Sequence, residues 1–366
     1  MGRKAMERSS DVELENPAVR DIISTVKEYI ETYEIEVSPF TIKFKFLDTE
    51  NPDISKKFGE LSRVLVPMGY IPQMVMDYEH YIVVSRMPQR KFTSNRVNIV
   101  LLILTILSTL YAGYLFSEDF VKPGPDLVGR TLVYSALFFS APLMTILGVH
   151  ELGHYFVAKH YGVRASLPFF IPFIPLGYSI GTFGAFISLR DPFPNRKVMA
   201  NIGAAGPIAG FLTAFPLLFV ANYFQKTMIH VRTFSPFFLN YPLIYHLLDF
   251  LPIKPPVFPM VLSVWVGIFA TAMNLIPVGQ LDGGHVLRGI LGRKAIYISY
   301  AFLMLLFYLS LEYFGWILIA LLVMFIGLEH PPALDDSSPV GSKEILIGVT
   351  VLVLFILSFT PVPFYI

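Results

Sequence analysis

The sequence predicts a polytopic α-helical membrane protein of about six to seven spans, with a small soluble α/β domain at its N-terminus. Three observations predict it. Of its 366 residues 54% are hydrophobic and the mean hydropathy is +0.59, too apolar for a water-soluble globule. Several apolar runs approach the roughly 20 residues that a helix needs to cross a bilayer. The first 92 residues differ from the rest, mixing charged and apolar positions at helical and strand spacing.

The net charge of +1 gives no case for a nucleic-acid partner. The chain has no cysteine, which excludes disulfides, iron–sulfur clusters and thiolate zinc sites, so any metal must be held by nitrogen and oxygen. Met1–Asn16 is polar and charged, without the apolar core of a signal peptide and with acidic residues that a transit peptide avoids. Met6 stands where a myristoylation signal has Ser or Thr. No cleaved targeting segment is expected.

Within residues 1–92, Pro17–Tyr33 places Val19, Ile22, Ile23, Val26 and Ile30 at helical spacing. Thr41–Leu47 alternates as a strand, with Ile42, Phe44 and Phe46 on one side. Ile54–Met68 is a second amphipathic helix that Gly69 can end. Gln73–Arg86 reads as a hairpin turning near Asp77-Tyr78-Glu79-His80. No catalytic constellation occurs here, and the domain is expected to be a cytosolic regulatory or substrate-screening appendage.

Residues 93–366 form the membrane part. The expected spans are Val97–Phe116, Thr131 to about Tyr161, Val198–Phe224, Phe258–Val278, Ala295–Leu311, Phe314–Leu328 and Glu344–Thr360. The short fifth and sixth, broken at Glu312–Phe314, are either two spans or one re-entrant hairpin. Basic residues orient the set. With a cytosolic N-terminus, the inside segments carry Arg90, Lys91, Arg96, Lys159, Arg164, Arg190, Arg196, Lys197, Arg288, Arg293, Lys294 and Lys343. The outside segments carry only Lys122, Arg130, Lys226, Arg232 and Lys254.

The second span ends in His150-Glu151-Leu152-Gly153-His154. Positions four apart share a helix face, so both imidazoles can reach one ion, with Glu151 beside them to take a proton from an activated water. The preceding Thr131–Val149 carries no charge, and ionisable groups at membrane depth are costly and usually functional. A third ligand is needed. His160 has the metzincin spacing, but Val157 replaces the glycine that lets that motif turn back. A continuing helix would carry His160 roughly 15 Å along its axis from His150. Asp282 is the better candidate: an acid at the end of the fourth span, at the depth of the histidines, followed by paired glycines and preceded by helix-breaking Pro277.

His150-Glu151-xx-His154 followed by Asn274-xx-Pro277-xxxx-Asp282-Gly283 resembles the site-2 proteases, a family of intramembrane zinc metalloproteases, over roughly residues 131–292. The resemblance implies one catalytic Zn2+ on His150, His154 and Asp282, with Glu151 as general base and Asn274 near the scissile bond. It also implies that the broken, glycine-containing segment Pro168–Arg190, with Pro168, Pro172 and Pro175, forms a re-entrant hairpin. The expected substrates are transmembrane proteins in the lipid bilayer, and a prokaryotic cell membrane is the expected location. Asn274 is a candidate amide donor to the oxyanion. His285 is either an outer-shell or a structural residue, and the small-residue stretch Asn201–Gly210 suits close helix packing. The competing reading is a transporter or metal/proton carrier using His150, His154 and Asp282. No inverted repeat of broken helices supports it. Oligomeric state is not legible.

Overall fold

The computed structural model describes residues 17–47, 53–76, 78–88, 94–174, 179–228, 238–250, 253 and 256–365. Met1–Asn16, Asp77, Arg90, Lys91, Pro175, Arg232 and Lys254 lie outside the described residues. The chain divides into two compact units: Met1–Phe92 with Asp191–Met199 and Pro331–Gly341, and the remainder.

Among its described residues, the first unit has two helices, α1 (Pro17–Tyr29) and α2 (Ile54–Leu65), and four strands, β1 (Glu34–Val37), β2 (Thr41–Lys45), β3 (Tyr70–Met76) and β4 (His80–Arg86). The strands form an antiparallel sheet in the order β1-β2-β4-β3. Alternation puts Ile42 and Phe44 of β2, Met74 of β3 and Ile82 and Val84 of β4 into one core, closed by Val26 of α1 and by Phe58, Leu61 and Leu65 of α2. Both helices and the β3–β4 hairpin agree with the sequence reading, although α1 ends four residues early and β1 was not expected. β1 is four residues long and partly exposed throughout, too short to give a periodic signal.

The outer edge of β3 is also occupied. Met74 N–H donates to the Leu334 carbonyl at 2.8 Å, and Leu334 N–H to that of Phe193 at 2.9 Å. Asp335 N–H donates to the Pro194 carbonyl at 3.0 Å. Two segments distant in sequence therefore extend the sheet in parallel and cover an edge that would otherwise invite pairing. On the opposite edge Lys45 Nζ lies 3.0 Å from Glu34 and 2.9 Å from Glu36.

The second unit is helical. Its long helices are α3 (Asn95–Ser117), α4 (Leu127–His160) and α5 (Arg196–Met228). After the one-turn α6 (Leu243–Leu247) come α7 (Pro259–Asn274), α8 (Asp282–Leu291), α9 (Ala295–Leu309), α10 (Gly315–Ile326) and α11 (Ser342–Ser358). Among the described residues, four stretches are long and apolar enough to cross a membrane: Asn95–Phe120, Leu127–His160, Arg196–Met228 and Asp282–Leu309. Pro259–Asn274 and Gly315–Ile326 are shorter apolar helices.

Three details depart from the expected spans. α4 begins at Leu127 rather than Thr131 and contains a π-turn at Ala136–Ser140. The fourth helix stops at Asn274, because Pro277 lacks the N–H that continuation needs. Asp282 therefore opens α8 rather than ending the fourth span, and α8 runs on through a 3-10 turn into α9.

α3 is built inside out. Its buried face holds Asn98, Thr105, Thr109, Ala112, Gly113 and Ser117, while Ile99, Ile103, Leu107 and Tyr111 face outward. That arrangement suits a lipid-facing helix, since lipid rewards leucine as well as a protein interior does and helix interfaces rely on small and polar residues. Between α4 and α5, β5 (Phe169–Pro172) and β6 (Thr182–Phe186) form an antiparallel hairpin. A large aromatic core around Trp265, Phe139, Phe258 and Tyr245 holds α4, α5 and α7 together.

Candidate metal centre

His150 and His154 lie one turn apart on α4, and both are buried. The Asn274–Asp282 turn brings the carboxylate to them. α8 folds back so tightly on the end of α7 that a Cβ at Gly283 would stand 2.5 Å from the Leu275 carbonyl carbon, so only glycine fits after Asp282.

The three ligand atoms form a nearly equilateral triangle. Asp282 Oδ2 is 3.1 Å from His150 Nε2 and 3.2 Å from His154 Nε2, and the two nitrogens are 3.3 Å apart. A tetrahedral zinc with bonds of about 2.0–2.1 Å separates its ligand atoms by about 3.3–3.4 Å, so the triangle is one face of such a site. Hydrogen bonding points the same way. His154 Nδ1–H donates to the Ile202 carbonyl at 2.7 Å, which leaves Nε2 of the neutral ring as an acceptor facing the Asp282 carboxylate. Two acceptors 3.2 Å apart are reconciled either by a proton on the ring or by a metal ion that both ligate. These three residues are the group of metal-binding side chains found among the described residues.

Glu151 is 4% exposed, with Oε1 4.0 Å from His150 Nε2. Asn274 Nδ2 lies 3.3 Å from His150 Nε2. All five residues singled out in the sequence thus converge. His160 stays apart, exposed at the end of α4 against Tyr161. His285 faces α5, with its Nδ1 hydrogen-bonded to His330 Nε2.

The glycines of α5 make room for this cluster. A Cβ at Gly206 would lie 2.7 Å from His154 Cε1 and nearer still to Nε2, and one at Gly210 would lie 3.1 Å from His150 Nδ1. The Ile202 carbonyl and His330 could not be found from the sequence. The first is a backbone group, which every residue has, and His330 stands 45 residues from its partner. The spacing Gly203-Ala-Ala-Gly206 was the one visible trace of the α4–α5 approach.

Residues 138–309 match peptidase family M50. Among similar proteins is the chloroplastic "Probable zinc metalloprotease EGY2" of Arabidopsis thaliana, 32% identical over 233 residues, covering 60% of this chain and 40% of the relative. "Probable zinc metalloprotease EGY3, chloroplastic" of Oryza sativa is 26% identical over 383 aligned residues, 94% of this chain and 59% of the relative. "Zinc metalloprotease MJ0392" of Methanocaldococcus jannaschii is 30% identical over 218 residues, 57% of this chain and 52% of the relative. The matches span about 40–59% of the length of these relatives. No solved structure matches significantly. The chain thus carries the domain of peptidase family M50, the zinc metalloproteases to which the site-2 proteases belong, in an integral membrane protein.

Proposed function

We propose that this protein is a zinc-dependent intramembrane endopeptidase that hydrolyses peptide bonds in or near transmembrane segments of membrane-protein substrates. The observation that carries the proposal is the triangle of His150 Nε2, His154 Nε2 and Asp282 Oδ2, with edges of 3.1–3.3 Å, beside a buried carboxylate inside an apolar helix. His150, His154 and Asp282 are its metal ligands. A zinc ion held there supplies Lewis acidity, making a water more acidic and a carbonyl more electrophilic. Glu151 is the general base. Its carboxylate takes the proton of the attacking water and returns it to the leaving amine. Asn274 offers its Nδ2–H to the oxyanion that develops at the scissile carbonyl. The β5–β6 hairpin offers a strand edge to a substrate segment that has unwound.

The proposed topology has seven crossings, or five if α9 and α10 form a re-entrant hairpin, with the N-terminus in the cytosol. Its support is parity. Asp191–Met199 and Pro331–Gly341 belong to the same compact unit as the N-terminal sheet, so all three lie on one side of the membrane. Two apolar helices, α3 and α4, separate the first pair, an even number. α5, α7, α9 and α10 separate the second pair, again an even number, whether α9 and α10 cross or form a re-entrant hairpin. The side so defined is the basic one, which is the cytosolic side by the positive-inside rule. We assign residues 1–92 a regulatory or substrate-screening role.

A transporter or metal carrier is not favoured, since it has no need for a buried glutamate beside a complete ligand set. Replacing Glu151 with Gln tests the proposal. In detergent, the variant should keep its zinc yet cleave single-span reporter proteins roughly 10²–10⁴ times more slowly than the wild type. Equal cleavage by the variant, or no cleavage by a zinc-loaded wild type across the reporter panel, would overturn it.

A further inference from the structure

α4 and α5 meet along a seam of small residues. A Cβ at Gly153 would lie 2.7 Å from the Ala205 carbonyl oxygen and 3.0 Å from Ala209 Cβ, so the two helices touch there with almost no side chain between them. Gly206 and Gly210 face His154 and His150 along the same seam. Small residues let membrane helices approach closely. They also leave few ridges and grooves to interlock, so the seam by itself resists axial sliding poorly.

The metal centre needs a fixed offset between these helices. His154 Nδ1–H bonds to the Ile202 carbonyl at 2.7 Å, and that bond survives only while Ile202 stays level with the imidazole. A directional contact sits beside it. Asn201 Nδ2 donates to the Tyr161 hydroxyl oxygen at 2.8 Å. Tyr161 closes α4, with its N–H still bonded to the Val157 carbonyl at 3.1 Å. It follows His154 by seven residues, which is two helical turns to within about 20° and about 10 Å along the axis. His154 and Tyr161 therefore share the face of α4 that meets α5. Their partners on α5 are consecutive residues, Ile202 and Asn201. Asn201 Oδ1 is buried with no hydrogen-bond partner among the described residues. A buried amide placed only to satisfy its own polar atoms would not be left half-paired, so the bond to Tyr161 calls for a positional role.

We infer that Tyr161 and Asn201 are positioning residues for the ligand His154: their hydrogen bond sets the axial register of α5 on α4 and so keeps the Ile202 carbonyl at His154 Nδ1. Neither residue is a ligand, and both act through Ile202. The inference rests on the proposed metal centre. Loss of an outer-shell partner of a metal-bound histidine costs about 10–100-fold in metal affinity. Loosening that partner should cost about tenfold, the lower end of this range.

The test uses the full-length protein in detergent and compares wild type with Tyr161→Phe, Asn201→Ala and the double variant. Three quantities are measured: zinc affinity by competition with a chelator, the visible spectrum of the cobalt-loaded protein, and the melting temperature. Cobalt serves because its visible bands report ligand geometry, to which zinc is silent. Y161F and N201A should each weaken zinc about tenfold and change the cobalt spectrum in the same way. The double variant should be no worse than either single one, because both substitutions break one bond. A bond that serves stability alone would lower the melting temperature and leave zinc affinity and the cobalt spectrum as in wild type, and that result would overturn the inference. Additive losses in the double variant would overturn it as well. A wild type that binds neither metal stoichiometrically fails the metal-centre reading itself, whereas a metal-loaded wild type matched by Y161F fails this inference alone. Should N201A not accumulate, Y161F, which loses a single oxygen atom, decides the question.

Discussion

Replacing Gly206 with Ala should strip the site of zinc while leaving the protein folded. The added Cβ would stand 2.7 Å from His154 Cε1, whereas ordinary contact begins at 3.4 Å, so the ring must retreat by at least 3.4 − 2.7 = 0.7 Å. Zinc–ligand distances tolerate only about ±0.2 Å. A ring displaced by 0.7 Å no longer ligates. If α5 moves instead, it carries off the Ile202 carbonyl that orients the same imidazole, so neither relaxation rescues the site. Loss of an outer-shell partner alone costs about 10–100-fold in metal affinity, so loss of the ligand itself should cost more than about 100-fold. Gly210→Ala is milder: its Cβ meets His150 Nδ1 at 3.1 Å, a shortfall of 3.4 − 3.1 = 0.3 Å, for which less than about tenfold is expected. Gly148→Ala, with Phe170 Cζ 3.9 Å away, should change nothing. The assay is competitive zinc titration of metal-free protein against a chromophoric chelator, with a melting curve for each variant. Wild-type zinc affinity in G206A, or a larger loss in G210A than in G206A, would refute the placement of α5 against the ligands.

Three further outcomes follow from the same structure. Asp282→Asn removes the one anionic ligand and should weaken zinc more than about 100-fold by the same titration, while E151Q should not. Phe44→Ala empties a site that is 0% exposed in the N-terminal core and should destabilise that unit by about 3–5 kcal/mol, read from hydrogen exchange of β2 and β4 amides in denaturant. Lys45→Met should flatten the pH dependence of the same unit's melting. Hydrogen bonding to Glu36 and then Glu34 holds the Lys45 amine above its ordinary value of 10.5, and the bond to Lys45 holds Glu36 below 4.5. The lysine's contribution is complete below its ordinary value and fades as pH rises through the raised one. The glutamate's is complete above its ordinary value and fades as pH falls through the lowered one. Wild type should therefore lose stability at both extremes more steeply than K45M, by a small amount because these carboxylates are half exposed. Identical profiles would contradict the pairing.

The metal site was legible because its chemistry depends on side chains at fixed spacing. His150 and His154 must be four apart on a helix, and an acid followed by two glycines at a broken helix end announces a carboxylate that is aimed. The long apolar helices were legible because length and apolarity suffice, and the β3–β4 hairpin because alternation is a strong signal. What stayed hidden is carried by backbone groups and long-range pairing. Nothing in Phe193-Pro194-Asn195 or Leu334-Asp335 marks them as neighbours of β3, since a carbonyl that accepts a strand's N–H leaves no trace in residue identity. The π-turn of α4 is hidden for a similar reason: Ala136–Ser140 reads as ordinary apolar helix. Asn98 and Ser108 belong to no motif in the sequence, and only the hairpin carbonyls beside them account for their hydrogen bonds.

The most direct measurement is zinc K-edge X-ray absorption on protein purified with zinc, together with metal stoichiometry. The account predicts one zinc per chain in a four-coordinate shell of nitrogen and oxygen at about 2.0–2.1 Å, with the outer-shell scattering of two imidazoles. That signal should vanish when His150 and Asp282 are both replaced by alanine. Zinc retained at full stoichiometry in the double variant, or a first shell without imidazole in the wild type, would contradict the claim that His150, His154 and Asp282 form the metal centre.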